Sequence, residues 1–247
     1  MNNRTKSEAL IILKNKYFVW ISVGMLILMM YNIFSVASQM QIEIDGGYYT
    51  YTTMTLTYLL GVVEPIAIGA FLGGFDTSTN MIEYKLCNQS GRDWIFSKIL
   101  LIVVSSIALL FVFNIFAIGI DTLKGTIYWN IPLMFIRFLV SVVVWLLWAS
   151  ISFTVALLID SPGMSLTISL FIFFGEQYIE RFVSIPFGLT WNQKSLVHYF
   201  FNDEQVPFGV VQTSYASLDQ SLIYIIIVIA ISWIVSFLYL KKKYPQK

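Results

Sequence analysis

Two acidic residues inside apolar stretches are the first candidates for chemistry in this chain. Glu64, beside Pro65, and Glu176 each lie in a run of apolar residues. Each is about 12 residues from one end of its run, which is roughly 18 Å deep in a helix. Ionisable groups at such a depth in a membrane are costly and mark functional sites by default. Glu64 and Glu176 are therefore candidates for the lining of a translocation path that accepts cationic cargo.

Each of these acids also has a structural interpretation. A protonated Glu64 could bond a backbone carbonyl that Pro65 leaves free, because proline has no N–H to donate. The apolar run that holds Glu176 is short, so this residue could instead end a helix in a wet dip of the chain. Arg137 lies near the far end of its own run, so we expect it to extend to the outer headgroups rather than pair with Glu64.

Several other chemistries are excluded by residues that the sequence lacks. It has no G-x-x-x-x-G-K-[ST] motif, which excludes a P-loop ATPase. A single cysteine, Cys87, and a single histidine, His198, exclude an internal disulfide and a multi-histidine metal site. No constellation of residues supports acid–base or nucleophilic catalysis. We expect neither an enzyme nor a bound cofactor or metal in this chain.

The elements that must position these residues are membrane helices. The 247 residues are 57% hydrophobic and 12% charged, whereas a soluble domain is about 25% charged. A helix needs roughly 20 apolar residues to cross a bilayer. The sequence therefore predicts an all-α integral membrane protein, one domain over 1–247, with spans near Tyr17–Val36, Met54–Phe75, Ile95–Ile120, Leu133–Ile159, Met164–Ile179 and Leu222–Leu240.

The distribution of charge predicts the orientation of these six spans. Most of the 15 Lys and Arg residues lie in the N-terminal tail, the loop between spans two and three, and the C-terminal tail. Positively charged segments stay in the cytoplasm, so both termini should be cytoplasmic. The net charge of +1 provides no general field for nucleic acid.

Two segments outside the spans should lie along the membrane surfaces. Residues 1–16 are predicted to form an amphipathic interfacial helix that begins at Thr5, which has capping-box spacing to Glu8. The outer segment 180–220 is long for a loop and rich in aromatic residues. We expect it to contain short re-entrant helices tucked into the outer leaflet.

The cytoplasmic segment 76–92 is predicted to hold a short helix. Capping candidates from Asp76 to Asn80 precede it, Asn88–Gly91 breaks it, and Ser90 or Asp93 can cap the helix that follows. A short helix that presents apolar residues to the cytoplasm needs a partner surface. The alternative is a helix that only rests among the lipid headgroups.

This layout resembles the membrane subunit of type-2 ABC exporters, the ABC-2 permease family, over nearly the whole chain. The most specific stretch runs from Gly73 to Leu101. Family members commonly have an acidic residue after span two, a Ser/Arg turn, and a Lys that opens span three. Asp76, Ser90-Gly91-Arg92 and Lys98 stand at these positions here.

The resemblance implies an assembly and a set of functional residues. Two permease subunits, expected to be a homodimer, would surround a central path, and each would dock on one of two copies of a separate ATPase that binds ATP and Mg. The segment 76–92 would be the coupling helix, and the outer segment would close the path. The implied ATPase-docking residues are Asp76, Met81, Ile82, Glu83, Tyr84, Leu86 and Arg92. The candidates for an outer gate are Pro186, Trp191, Phe200, Phe201 and Phe208.

The small size and the richness in Phe resemble the permeases of Gram-positive peptide-toxin systems, which export phenol-soluble modulins or clear lantibiotics. This resemblance implies a multi-pass protein of a bacterial plasma membrane that exports amphipathic peptides. Two other interpretations stay open. One is a non-transporting immunity or sensor scaffold, and the other is a proton-coupled transporter that uses Glu64 and Glu176.

Overall fold

The computed structural model describes residues 61–88, 90–124, 130–180, 182, 188–200 and 216–245, together with the separate helical residues Trp20, Val23, Gly24, Ile27 and Tyr31. The predicted interfacial helix at 1–16, most of span one and the first part of span two lie outside the described residues. Within the described part, the protein is all-helical, with seven helices and no strand. They are α1 (Val63–Ser78), α2 (Met81–Asn88), α3 (Gly91–Lys124), α4 (Ile131–Ile159), α5 (Pro162–Glu180), α6 (Leu189–Phe200) and α7 (Leu218–Lys243).

Three of these helices are long and apolar enough to cross a membrane: α3 over Gly91–Gly119, α4 over Ile131–Ile159 and α7 over Leu218–Lys243. They confirm the helices predicted for spans three, four and six. The regions of spans two and five form α1 and α5, of 16 and 19 residues. Neither is among the three helices long and apolar enough to cross. The crossing of α1 and α5 therefore stays a prediction.

Local capping sets several helix ends. The side chain of Asn130 accepts a hydrogen bond in the first turn of α4, and Ser217 forms a capping box with Gln220 at the start of α7. After α4, Asp160 adopts a left-handed conformation with φ 57°, which short polar side chains tolerate. Pro162 then opens α5, since a proline at the first helical position sacrifices no hydrogen bond.

Two glycines let α1 approach α4 closely. A Cβ atom on Gly69 would lie 2.1 Å from the carbonyl oxygen of Ala149, and one on Gly73 would lie 2.4 Å from that of Phe153. The spacing of four residues is the small-xxx-small pattern by which membrane helices pack backbone to backbone. Because the contacts advance in the same direction along both helices, α1 and α4 run parallel.

Side-chain contacts fix the direction of the remaining long helices. The Thr154 hydroxyl lies 3.0 Å from the Ser232 carbonyl oxygen and 3.0 Å from the Ser236 hydroxyl, and Lys243 forms an ion pair with Asp160. Helix α7 therefore runs parallel to α4. Helices α3 and α5 run the opposite way, because Trp94 and Phe113 of α3 contact Phe153 and Trp145 of α4, and Ser165 and Phe173 of α5 contact Ser152 and Trp148 of α4. The end of the bundle where α1, α4 and α7 finish is called the basic end here, because Lys85, Arg92, Lys98 and Lys241–Lys243 lie there.

The structure corrects three expectations from the sequence. Asp76–Ser78 do not lie in a turn before α2, because α1 continues through Asp76 to Ser78, and Asn80, with φ 56°, directly precedes α2. Helix α5 does not end at Glu176 but extends to Glu180. Arg137 does not extend into the headgroups, because its side chain is only 7% exposed and lies within the bundle.

Candidate functional site

A buried ionic network at the basic end joins three helices. Both carboxylate oxygens of Asp76, in the last turn of α1, lie 2.8 Å from the Lys85 Nζ of α2. The Lys98 Nζ of α3 lies 2.8 Å from Asp76 Oδ2, and the Trp94 indole N–H donates to the same oxygen at 3.1 Å. The side chains of Asp76, Trp94 and Lys98 are all buried. One carboxylate therefore fixes α2 between α1 and α3.

The charges in this network favour an ionised Asp76. Burial by itself would raise the pKa of its carboxyl, but the ammonium groups of Lys98 and Lys85 outweigh burial and hold the pKa below its ordinary value of 3.8. The Lys98 ammonium also lies 5.2 Å from the centre of the Trp94 ring, within the range of a cation–π contact.

The short helix α2 has one buried and one exposed side. Ile82 is completely buried in the core cluster with Trp94 and Phe153, and Leu86 packs against the same cluster. On the opposite side, Met81 is 48% exposed and Tyr84 is 75% exposed. Glu83, Cys87 and Arg92 are also exposed. The exposed side is called the α2 face here and consists of Met81, Glu83, Tyr84 and Cys87.

These positions divide the predicted ATPase-docking residues into two groups. Asp76, Ile82 and Leu86 contact the interior of this chain, so their contribution is to hold α2 in place. Met81, Glu83, Tyr84 and Arg92 are available to a partner. The helix break at Asn88 and the capping of α3 are as predicted, because the Asp93 N–H donates to the Ser90 hydroxyl oxygen at 3.1 Å.

The two acidic candidates for the path lie at a similar height in the bundle. Glu64 on α1 and Glu176 on α5 are both about 14 helical residues, or roughly 21 Å, from the basic end. Glu64 is completely buried. Glu176 receives backbone hydrogen bonds from Thr190 and Leu189, while its Oε1 atom is buried with no hydrogen-bond partner among the described groups. Glu176 thus caps the first turn of α6.

The short helix α6 carries polar side chains, and most of them are buried. Every residue from Thr190 to Leu196 is buried. Lys194 forms an ion pair with Glu180, which also accepts a hydrogen bond from the Thr190 hydroxyl. The Trp148 indole N–H donates to the Gln193 side-chain oxygen at 2.8 Å. Trp148 lies about 12 residues, or roughly 18 Å, above the basic end of α4, so α6 reaches the middle of the bundle.

The candidates for the outer gate are only partly described. Trp191 lies on α6 and is 6% exposed. Phe200 is the last residue of α6, whereas Pro186, Phe201 and Phe208 lie outside the described residues. Helix α6 lies within the predicted outer segment 180–220, and its re-entrant placement in a membrane stays a prediction.

No family model matches this chain, and neither a curated protein nor a solved structure matches it.

Three features of the site were not predicted from the sequence, although two of them leave a signal there. The ion pair of Lys194 with Glu180 could have been suspected from a lysine in an otherwise uncharged aromatic segment. The Gly69–Gly73 spacing is a known helix-packing pattern. The pairing of Asp76 with Lys85 had no comparable signal, because it depends on how α2 folds back on α1.

Among the described residues, no group of three or more His, Cys, Asp or Glu side chains could hold a metal ion.

Proposed function

We propose that this chain is the membrane-spanning permease subunit of an ATP-driven exporter of the ABC-2 type. The observation that carries the proposal is the geometry of α2. The short helix α2 lies between the longer helices α1 and α3. The ion pair of Lys85 with Asp76 holds α2 in place, and Met81 and Tyr84 are exposed. An apolar face of this kind fits a groove in a separate protein.

The ionic network suggests how a movement of α2 would reach the membrane part. Motion imposed on the α2 face would pass through Lys85 and Asp76 to α1, and through Lys98 to α3. Helix α1 packs directly on the backbone of α4 through Gly69 and Gly73. A rigid unit of α1, α3 and α4 would then carry the motion towards the far end of the bundle.

The remaining parts of the proposal concern the path. In it, α1 and α5 are spans two and five of six, both termini are cytoplasmic, and two copies of the chain form a homodimer in a bacterial plasma membrane. The buried polar helix α6 is a re-entrant helix at the outer side of the path. The proposed cargo is an amphipathic peptide, and ATP and Mg bind to the partner ATPase.

The experiment that tests this function is co-purification of the tagged chain from its native membrane in mild detergent. We expect a soluble chain with a P-loop to co-purify in a fixed ratio. The variant Met81→Asp/Tyr84→Asp should lose it, because two charges would enter an apolar contact. The matched control is Tyr178→Asp, which changes an exposed tyrosine on α5, towards the far end. Retention of the ATPase by the double variant, or its absence from the wild-type preparation, would overturn the proposal.

A second candidate function rests on the buried acids. A proton-coupled transporter would use Glu64, which is completely buried, and Glu176, which has a buried oxygen without a hydrogen bond in the described part. Here, a pH gradient without ATP should drive flux, and Glu64→Gln and Glu176→Gln should abolish it at an unchanged protein level. Flux that needs ATP and survives both substitutions would exclude this mechanism. A non-transporting immunity or sensor scaffold would show neither form of flux.

A further inference from the structure

An open cavity of about 300 Å³ lies at the basic end, between the start of α3 and the end of α7. Its polar side chains are Ser90, Arg92, Lys241 and Tyr244, and its apolar side chains are Leu86, Phe237, Leu240 and Pro245. The cavity is thus cationic on one side and apolar on the other. Both helices that form it are long and apolar enough to cross a membrane, which places the cavity at a membrane surface.

The two cations of this cavity differ from three other cations at the basic end. Lys85 and Lys98 are paired with Asp76, and Lys243 is paired with Asp160. Arg92 and Lys241 are exposed, and within the described residues neither forms an ion pair with a carboxylate. The cavity therefore has two positive charges that are available to an anion.

The nearby carboxylates of Asp93 and Glu83 do not pair with Arg92 or Lys241. Asp93 accepts a hydrogen bond from the Ser90 hydroxyl at 2.7 Å and serves to cap α3. Glu83 lies within electrostatic range of Tyr244, but it does not line the cavity.

We propose that this cavity binds the phosphate of an anionic phospholipid from the adjoining leaflet. The guanidinium of Arg92 suits phosphate oxygens, because its fork can donate two parallel hydrogen bonds. Lys241 adds a second positive charge, and the Tyr244 hydroxyl adds a hydrogen-bond donor. Leu86, Phe237 and Leu240 provide an apolar surface for the first carbons of the acyl chains. Basic cavities between membrane helices at the cytoplasmic side bind acidic headgroups in this way. The inference does not depend on a partner ATPase or on transport.

Lipid binding to the purified full-length chain in detergent tests the inference, with native mass spectrometry as the readout. The probes are phosphatidylglycerol, phosphatidylcholine and inorganic phosphate. We expect phosphatidylglycerol to bind in preference to phosphatidylcholine, and inorganic phosphate to leave it in place at equal concentration. The variant Arg92→Gln/Lys241→Gln should weaken phosphatidylglycerol binding about 30-fold, because each cation near an anionic surface contributes roughly 1 kcal/mol and 1.4 kcal/mol corresponds to a factor of ten.

The matched control is Lys242→Gln, which removes the same charge from the adjacent residue of α7, outside the cavity. Lys241→Gln should weaken binding several-fold, whereas Lys242→Gln should leave it within a factor of two. Equal losses in these two variants would show a diffuse positive surface and overturn the site. Displacement of the lipid by inorganic phosphate would assign the cavity to free phosphate instead. Because these residues are exposed, all variants should keep the wild-type melting temperature.

Discussion

At the scale of single residues, Asp76 has the most consequences. Its carboxylate is 1% exposed and contacts two ammonium groups and an indole N–H. Removing one partner from a buried ion pair costs about 3–5 kcal/mol, because it leaves the other charge without compensation. Asp76→Asn should therefore lower the stability of the bundle by several kcal/mol.

Thermal unfolding in detergent measures this effect. The control is Asp219→Asn, which neutralises an exposed carboxylate in the first turn of α7 and should cost less than about 1 kcal/mol. Adding Lys98→Met to Asp76→Asn should recover part of the loss, because it removes the uncompensated buried charge. Equal melting temperatures for Asp76→Asn and Asp219→Asn would contradict the importance of the network.

The stabilisation by Asp76 should also depend on pH. Its pKa is lower in the folded protein than the ordinary 3.8. A carboxyl with a lowered folded pKa stabilises the protein fully above the unfolded pKa, and this contribution is lost as the pH falls through the folded value. The difference in melting temperature between wild type and Asp76→Asn should thus be constant near neutrality and shrink below about pH 3.8. A difference that grew on acidification would have the wrong sign.

At the scale of helices, the contact of α1 with α4 depends on the absence of side chains. Gly73→Ala would place a Cβ atom 2.4 Å from the Phe153 carbonyl oxygen, and such overpacking costs about 1–3 kcal/mol. Gly119→Ala is the matched control, since nothing lies within 4 Å of a Cβ atom at that position of α3. We expect a lower melting temperature for Gly73→Ala and an unchanged or slightly higher one for Gly119→Ala. Equal melting temperatures would refute the close packing.

The sequence predicted where the helices lie in the chain better than it predicted which side chains of each helix are buried. Spans three, four and six were evident because length and hydropathy alone decide whether a helix can cross a bilayer. The predicted end of span five, Ile179, lies one residue before the end of α5 at Glu180, and α1 extends three residues beyond the predicted Phe75, to Ser78. Asp76 and Glu176 do not end these helices, since Asp76 pairs with Lys98 and Glu176 accepts a backbone hydrogen bond from Thr190. Similarly, only the folded chain distinguishes the buried Ile82 from the exposed Met81 beside it.

At the scale of the whole molecule, the proposed orientation can be tested with the only cysteine in the chain. Cys87 lies on the α2 face and is exposed. A membrane-impermeant maleimide should therefore label it in inside-out vesicles but not in intact cells. In a Cys87→Ser background, Asp219→Cys at the far end should show the opposite pattern. Labelling of Cys87 in intact cells would reverse the proposed topology.

The arrangement of the whole bundle could not be predicted from hydropathy. The segments predicted as spans have similar composition, so nothing in a span itself indicates which others it contacts. The parallel packing of α1, α4 and α7 depends on small residues at matching heights, such as Gly69 on α1 and Ser232 on α7. Those contacts are separated by long stretches of chain and become visible only in three dimensions.

The buried polar helix α6 has a consequence for how the chain is synthesised. It is 12 residues long, too short to cross a bilayer, and its polar side chains make lipid an unfavourable surrounding. Its partners include Trp148, made earlier, and Ala216, whose N–H donates to the Ser195 hydroxyl oxygen at 3.1 Å. The contacts of α6 can therefore be complete only after the start of α7 has been synthesised. A chain that stopped before Ala216 would leave the Ser195 hydroxyl without this contact.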